Sequence, residues 1–293
     1  MPDSAIGAGS LGREIGPAKP KEQGNRRAEA HLEQVSASSR GVPRRGSPAR
    51  PVRCGCYKRG MTPLAATDPG FVHHRLAGRH LCVLLDGRDD PAEFERLVDT
   101  LFAAGLGLLQ IRDKRLPAVA LAGRVRTALA LSRQYGPDQP IVVINDRADI
   151  AAACGADGVH LGDDDLPVPL ARRVIGAAGL VGRTAHDIET IHRAVADGAD
   201  YVGIGPCFPS KTKAFARQAT PEFLTAAARA TVPAFAIGGV TLERVAALAS
   251  LGITRVAVAS AVTDAADPGA AVTAFLNRLA RPEPSPDPRP AAP

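Results

Sequence analysis

Short apolar runs alternate eight times with longer segments of helical period between residues 80 and 280, and this repeat constrains the fold more than any other feature. The runs are apolar over nearly their whole length and rich in β-branched residues, which is typical of strands buried on both faces of a parallel sheet. The predicted strands span residues 80–86, 106–112, 141–145, 158–162, 180–185, 201–205, 234–238 and 255–260.

A helical segment follows every predicted strand. The predicted helices span residues 92–103, 117–134, 147–154, 168–176, 187–197, 221–230, 241–250 and 268–280. Glycine recurs between a helix and the next strand, as at Gly155 and Gly198, where a left-handed C-cap is expected. Eight such units in about 200 residues favour a closed barrel over an open doubly wound sheet. We therefore predict an α/β fold, a single (β/α)8 TIM barrel over residues 78–280.

The two ends of the chain, residues 1–70 and 281–293, lack the repeat. Residues 1–60 are rich in Gly, Pro, Ser and Arg, and they hold 12 of the 36 Lys and Arg but only 5 of the 30 Asp and Glu. Such segments bury too little apolar surface to offset the entropy of ordering, so we predict a disordered basic arm and a short disordered Pro-rich tail. The arm is open to three explanations: a targeting peptide, a polyanion-binding arm, or a translation start near Met61, which we favour.

Charge, hydropathy and cysteine usage exclude several classes of protein. The net charge of +6 sits in the arm, so the globular part gives no indication of a nucleic-acid partner. No apolar run approaches the roughly 18 residues needed to cross a bilayer, and residues 1–30 lack the apolar stretch of a secretory signal. The cysteines are scattered, and Cys54 and Cys56 have no second pair beside them to suggest a metal site. We expect free thiols in a reducing cytoplasm.

The carboxyl ends of the strands carry the candidate site, because these ends form the active face of such barrels. Gln110-Ile111-Arg112-Asp113-Lys114 follows the second strand. Strand alternation points Gln110 and Arg112 to the same side, and Lys114 reaches the rim. Two cations beside an amide suit a phosphate or a diphosphate. The alternative is a surface ion pair of these cations with Asp113.

Carboxylates follow the third and fourth strands. Asp146 comes directly after Asn145, and Asp165 ends a run of three aspartates. Successive carboxylates repel one another unless a cation offsets them, and Mg²⁺ usually takes one or two carboxylates plus substrate phosphates. We therefore expect Asp146 and Asp165 to share Mg²⁺. The alternative is that both side chains cap the helices that follow them, and the two roles are compatible.

The last three strands lead into segments that suit a second phosphate. The loop after the sixth strand runs to about Thr220 and carries Ser210, Thr212 and Lys213, and it is long enough for a mobile lid. The loops after the seventh and eighth strands are the usual phosphate site of these barrels, and Gly239 lets a ligand approach the backbone there. Two separated anion-binding ends predict two phosphorylated substrates, or one substrate with two phosphates.

Five segments are far more specific together, in their order and spacing, than any one alone. They are Gln110-Ile111-Arg112-Asp113-Lys114, Asn145-Asp146, Gly158-Val159-His160-Leu161-Gly162 with Asp165, Gly203-Ile204-Gly205-Pro206 with Pro209 through Lys213, and Ile237-Gly238-Gly239. Over residues 80–270 they resemble the thiamine phosphate synthase family. The resemblance implies a transferase with an Mg²⁺ cofactor, which joins hydroxymethylpyrimidine diphosphate to hydroxyethylthiazole phosphate or its carboxylated form. The products would be thiamine phosphate and diphosphate.

The resemblance also implies a role for each site residue. The pyrimidine diphosphate would be held by Gln110, Arg112, Lys114, Asn145 and Lys213, with Mg²⁺ on Asp146 and Asp165. The thiazole phosphate would face Ser210, Thr212, Gly239 and the backbone of Ala259 and Ser260. Arg112, Lys114 and Lys213 would be catalytic by neutralising charge on the departing diphosphate. The thiazole nitrogen would then attack without a protein nucleophile.

The sequence departs from the family pattern at a few positions. Thr184 stands near the pyrimidine where Ser is usual, and Ser210 stands where Thr is usual. Both keep a hydroxyl, so we expect altered affinity and retained activity. The end of the first strand, Leu84-Leu85-Asp86, is also not the commonest form. We interpret His160 as structural.

Three other functions remain as alternatives. Thiazole tautomerases share the fold but often lose the diphosphate and metal side, whereas here all the residues of that side are present. A regulatory barrel that only binds phosphate is the second alternative, and a polyanion binder acting through the arm is the third. The sequence leaves the oligomeric state open, with a homo-oligomer among the alternatives.

Overall fold

The barrel is closed, with eight parallel strands in the order in which they occur along the chain. The computed structural model describes residues 75–209 and 218–280. Every strand pairs in parallel with the next, and the eighth pairs with the first. The strands are β1 Leu81–Leu85, β2 Leu108–Ile111, β3 Ile141–Asn145, β4 Gly158–Leu161, β5 Leu180–Ala185, β6 Tyr201–Ile204, β7 Ala234–Ile237 and β8 Val256–Val258. The predicted TIM barrel is confirmed, while the arm and the tail lie outside the described residues.

Helices surround the strands. They are α1 Pro91–Ala103, α2 Ala118–Ser132, α3 Ala148–Cys154, α4 Val168–Ile175, α5 Ile188–Ala196, α6 Pro221–Ala227, α7 Val245–Ala249, α8 Ser260–Thr263 and α9 Pro268–Ala280. A 3-10 turn, Leu242–Arg244, leads into α7, and another, Arg133–Asp138, follows α2. Among the described residues no helix is long and apolar enough to cross a membrane.

Several predicted elements have different ends in the structure, and two strands show why. The strand predicted over 255–260 stops at Val258, and Ser260 instead begins the short helix α8. The strand predicted over 106–112 begins at Leu108, because Leu106 is still in the turn that closes α1. The backbone N–H of Leu106 donates to Leu101 O at 3.1 Å, which places it in a helix C-cap rather than in the sheet.

The interior of the barrel is apolar toward the amino-terminal ends of the strands and polar toward their carboxyl ends. Leu108, Val143, Tyr201 and Phe235 belong to the inner cluster, and the larger outer cluster fills the space between strands and helices. Because side chains alternate along a strand, Gln110 lies two positions above Leu108 on the same inward face. The polar layer at the carboxyl ends of the strands therefore forms the floor of the opening there, which we call the mouth of the barrel.

The glycines that recur between helices and strands are followed by aspartates that contact neighbouring strands. Gly155 adopts the left-handed C-cap at φ 67°, as predicted. Asp157, two residues later, is half-buried, and Asp200, two residues after Gly198, is buried. Asp200 accepts from the N–H of Val181 at 2.6 Å and pairs with Arg172 at 2.6 Å. Burial raises the pKa of Asp200, although both of these partners act to lower it. These aspartates tie the strands together at the bottom of the barrel, opposite the mouth.

Candidate active site

Two amide side chains from neighbouring strands meet on the floor of the mouth. Gln110 Nε2 donates to Asn145 Oδ1 at 2.8 Å. Gln110 is buried, and Asn145 is half-buried at the end of β3. This bond uses one of the two amide N–H donors of Gln110 and leaves the amide group of Asn145 free to donate. The pair can therefore bind a polar ring or phosphate oxygens above it.

A pair of carboxyl groups lies beside these amides. The carboxyl groups of Asp146 and Asp165 are within hydrogen-bonding reach of each other. Burial raises the pKa of Asp146, the neighbouring Asp165 raises it further, and Lys114 acts in the opposite direction. Lys114 Nζ lies 3.2 Å from Asp146 Oδ2. Two carboxylates this close are stable as anions only with positive charge beside them.

The backbone holds both carboxyl groups in place. Asp146 has a φ of 64°, which is uncommon for a residue with a side chain, and its N–H donates to His160 O at 2.8 Å. Asp165 Oδ2 accepts from the N–H of Gly162 at 2.6 Å. The strained conformation of Asp146 turns its side chain toward Asp165, and such strain is common at functional sites.

The capping alternative is wrong for both aspartates. The N-cap residue of α3 is Arg147 and that of α4 is Pro167, and neither helix start has a side-chain cap. The carboxyl oxygens of Asp146 and Asp165 are therefore not used by a helix. They fit a hard divalent cation such as Mg²⁺, which commonly takes two protein carboxylates and completes its shell with water and phosphate oxygens. Among the described residues no group of three or more acidic, His or Cys side chains forms a metal site by itself.

The ion-pair alternative for the cations after β2 is also wrong. Asp113 accepts from the backbone N–H groups of Gly87 at 2.9 Å, Arg115 at 2.7 Å and Leu116 at 2.8 Å, and its ion-pair partner is Arg115. Burial acts to raise the pKa of Asp113, and these backbone donors outweigh it and lower the pKa. Asp113 thus anchors the loop, and Arg112 has no ion-pair partner among the described residues.

A cavity of about 740 Å³ opens above β7, β8, β1 and β2. Its wall includes Arg112, Gly239, Ala259 and Ser260, and the last two are exposed. Because β2 lies between β1 and β3, Arg112 stands between this cavity and the carboxyl pair. The mouth therefore has one end with carboxylates and amides and another end, this cavity, whose lining includes glycines, apolar side chains and arginines.

Two arginines on the cavity wall were missed by the sequence analysis. Arg244 Nη1 donates to Gly239 O at 2.5 Å, and its guanidinium lies 4.9 Å from the ring centroid of Phe208. Arg88 lies on the other side and donates to Thr263 O at 3.2 Å. Neither arginine belongs to the segments after the strands from which the site was predicted. Their contacts with backbone carbonyls show that they fix the loops around the cavity.

The sequence profile of the thiamine monophosphate synthase family matches residues 81–262, which is more than half of the chain. The chain belongs to this family. A thiamine-phosphate synthase of Anaeromyxobacter dehalogenans is 44% identical over 201 residues, covering 67% of this chain and 85% of that protein. A thiamine-phosphate synthase of Thermosynechococcus vestitus is 41% identical over 198 residues, covering 66% of this chain but 56% of that protein.

A solved structure supports the same family assignment. The thiamine phosphate pyrophosphorylase of Pyrococcus furiosus superposes with a TM-score of 0.60 at 28% sequence identity. The match covers 69% of this chain and 96% of the archaeal one. The barrel described here therefore corresponds to nearly the whole of a thiamine phosphate pyrophosphorylase.

The structure brings most of the predicted family residues together at the mouth. Gln110, Lys114, Asn145, Asp146 and Asp165 form the polar end described above. The remaining described residues are Arg112, Gly239, Ala259 and Ser260 on the cavity wall and Thr184 on the floor. Ser210, Thr212 and Lys213 lie outside the described residues, so their roles stay predictions.

Proposed function

We propose that the barrel mouth performs the reaction of its family by binding a pyrimidine diphosphate at the carboxylate end and a thiazole phosphate at the cavity end. Thiamine-phosphate synthase activity, a transferase activity of thiamine biosynthesis, is the function of the family to which the chain belongs. The substrates would be hydroxymethylpyrimidine diphosphate and hydroxyethylthiazole phosphate, in its free or carboxylated form. The products would be thiamine phosphate and diphosphate.

One observation carries the assignment of the diphosphate end. The Asp146 and Asp165 carboxyl groups approach each other beside Lys114 and next to the Gln110–Asn145 pair. We assign Mg²⁺ to the two carboxylates, where it would neutralise charge on the leaving diphosphate when bound. Lys114 is 63% exposed, so its ammonium group is free to turn from Asp146 to a diphosphate oxygen.

The cations around the mouth stabilise the leaving group. Arg112 would hold diphosphate oxygens through its planar fork of N–H donors, and Lys114 and Lys213 would add two point charges. Positive charge fixed in advance stabilises the oxygens most when the bond to the pyrimidine methylene breaks. The Gln110 and Asn145 amides would orient the pyrimidine at the floor. The thiazole nitrogen then supplies the electron pair for the new bond, so no protein nucleophile is required.

The cavity end would take the thiazole phosphate. Ala259 and Ser260 are exposed residues and Gly239 is in a left-handed turn, so their backbone N–H groups would be available to a phosphate. Ser210 and Thr212 would add hydroxyl donors from the loop after β6. We also propose that the protein acts in the cytoplasm on small phosphorylated molecules alone. A homo-oligomer remains compatible with this assignment.

Gly239→Ala is expected to damage the cavity end selectively. Gly239 has a φ of 62°, and a Cβ there would lie 2.5 Å from Pro209 O and 2.7 Å from Phe208 O. The backbone must shift, at a cost of roughly 1–3 kcal/mol in stability. We expect the KM for the thiazole phosphate to rise at least about tenfold, since misplaced donors lose hydrogen bonds to an ionised group. The KM for the pyrimidine diphosphate should change much less.

The matched control is Gly123→Ala in the middle of α2. Apart from its own helix, no atom of the described residues lies within 4 Å of a Cβ at Gly123, so this substitution should leave both KM values unchanged and stabilise the helix slightly. Steady-state kinetics with each substrate varied in turn, together with thermal unfolding, would check both variants. Equal increases of the two KM values in Gly239→Ala would refute the separation of the two ends.

The function itself is tested by measuring diphosphate release from the full chain. We expect release only when both precursors and Mg²⁺ are present, and none with either precursor alone. Release without the thiazole phosphate would indicate a hydrolase. Binding of the thiazole phosphate without any release would indicate the tautomerase or regulatory alternative.

A further inference from the structure

Three polar side chains form a chain of hydrogen bonds from the buried interior up to the floor of the mouth. Tyr201 Oη lies 3.3 Å from His160 Nδ1, and His160 Nε2 lies 3.1 Å from Thr184 Oγ1. Tyr201 and His160 are buried, whereas Thr184 is half-buried at the end of β5. The His160 and Tyr201 rings also pack with their centroids 5.5 Å apart.

The barrel is built to hold these rings in one place. A Cβ at Gly182 would collide with the Tyr201 ring, and a Cβ at Gly203 would lie 3.1 Å from His160 Cε1. The edge of Tyr201 also packs against Phe235, with the ring centroids 5.7 Å apart. Two glycines in the middle of strands weaken a sheet, so their presence indicates that the position of the two rings matters.

The chain of hydrogen bonds has a preferred direction. Among the described residues the Tyr201 hydroxyl has no partner other than His160, so its proton is satisfied only by donation to His160 Nδ1. A neutral imidazole that accepts at Nδ1 carries its proton on Nε2 and donates it to Thr184 Oγ1. A doubly protonated imidazole would donate to Thr184 in the same way. In both cases Thr184 accepts from below, and its own proton is left to donate upward.

We propose that Tyr201 and His160 are positioning residues that make the Thr184 hydroxyl a hydrogen-bond donor into the mouth, where it recognises a ring nitrogen of the pyrimidine substrate. This inference rests on the proposed function, since it assigns the polar floor to the pyrimidine. It explains why a buried histidine with no ion pair among the described residues stands below the site. A hydroxyl fixed as a donor distinguishes an acceptor nitrogen from the amino group of a ring.

The direction of donation is tested without any substrate. The ¹⁵N chemical shifts of His160 in the full-length, ligand-free protein report which ring nitrogen carries the proton. We expect a protonated Nε2 and, in the Tyr201→Phe variant, loss of this preference. A proton on Nδ1 alone in the wild-type protein would overturn the proposal. This measurement uses no substrate, so its result does not depend on whether the protein turns over the two precursors. A failure of the proposed function can therefore be distinguished from a failure of this inference.

Kinetics test the consequence for substrate binding. Tyr201→Phe keeps the ring and removes the hydroxyl. We expect it to raise the KM for the pyrimidine diphosphate about fivefold, which corresponds to the net contribution of one typical hydrogen bond. The KM for the thiazole phosphate should not change. Thr184→Val should produce a similar increase, and the double variant should be no worse than Thr184→Val alone. Additive increases in the double variant would overturn the coupling of Tyr201 to Thr184.

Phe235→Leu is the control for packing in the inner cluster. It removes the edge-on contact with Tyr201 but no hydrogen bond. We expect the ¹⁵N shifts of His160 and the ratio of the two KM values to stay as in the wild-type protein. If Phe235→Leu changed them as much as Tyr201→Phe, packing rather than hydrogen bonding would position Thr184, and the proposal would be wrong.

Discussion

Asp146→Ala is expected to lower kcat by on the order of a hundredfold to a thousandfold and to weaken the dependence of the rate on Mg²⁺. The carboxyl group of Asp146 lies between Asp165 and Lys114, so its removal takes away one of two proposed metal ligands and the partner of a cation. A single remaining carboxylate binds Mg²⁺ more weakly, and the diphosphate would leave with more of its charge uncompensated. Initial rates measured over a range of Mg²⁺ concentrations would check both effects.

Asp164→Ala is the matched control for this experiment. Asp164 is an exposed neighbour of Asp165 in the same loop. Its removal changes the local charge by the same amount without touching the carboxyl pair. We expect less than about a twofold change in kcat, since screened surface charges contribute little. An Asp146→Ala enzyme with an unchanged Mg²⁺ dependence would remove Asp146 from the metal site.

Arg112→Ala is expected to produce the second large effect, a loss of about a hundredfold in kcat/KM for the pyrimidine diphosphate. Arg112 has no ion-pair partner among the described residues and stands on the cavity wall next to the carboxylate end. Its guanidinium is therefore available for the substrate without breaking an existing ion pair. Arg112→Lys should recover part of the loss, because the charge returns but the two-pronged geometry does not.

The control for Arg112 is Arg115→Ala in the same loop. Arg115 is 60% exposed, and it forms ion pairs with Asp86, Asp89 and Asp113. The Asp86 and Asp89 pairs are exposed and worth little, and the buried Asp113 carboxylate keeps its three backbone N–H donors, so we expect nearly wild-type kinetics. Steady-state rates for the three variants would settle the comparison. If Arg115→Ala lost as much activity as Arg112→Ala, the order of the loop rather than the charge of Arg112 would be the cause.

Local patterns in the sequence predicted much of the fold. Because apolar runs and helical segments alternate so regularly, the barrel and the position of its mouth followed from period and order alone. The period of two along β2 also placed Gln110 on the inward face, where the structure has it. These features depend on residues close to one another in the chain, which is why sequence reasoning reached them.

The parts that sequence reasoning did not reach depend on contacts between distant segments. The left-handed backbone of Asp146 was not predicted, because it depends on the contact of this residue with the carbonyl of His160 in β4. The role of Asp113 as an anchor of the loop was not predicted, because its donors include Gly87, 26 residues away in the chain. Ser260, the first residue of α8, was included in the eighth predicted strand because apolar residues continue across the boundary. Short elements with little periodicity of their own are decided by tertiary packing.

The most direct test of the two-ended site is a crystal structure of the full chain grown with thiamine phosphate, diphosphate and Mn²⁺ in place of Mg²⁺. The anomalous scattering of Mn²⁺ locates the metal independently of the phosphates. We predict a metal peak within about 2–2.5 Å of carboxylate oxygens of Asp146 and Asp165, and the monophosphate against the backbone of Gly239 and Ser260. A metal peak distant from both carboxylates, or the monophosphate at the carboxylate end, would contradict the account.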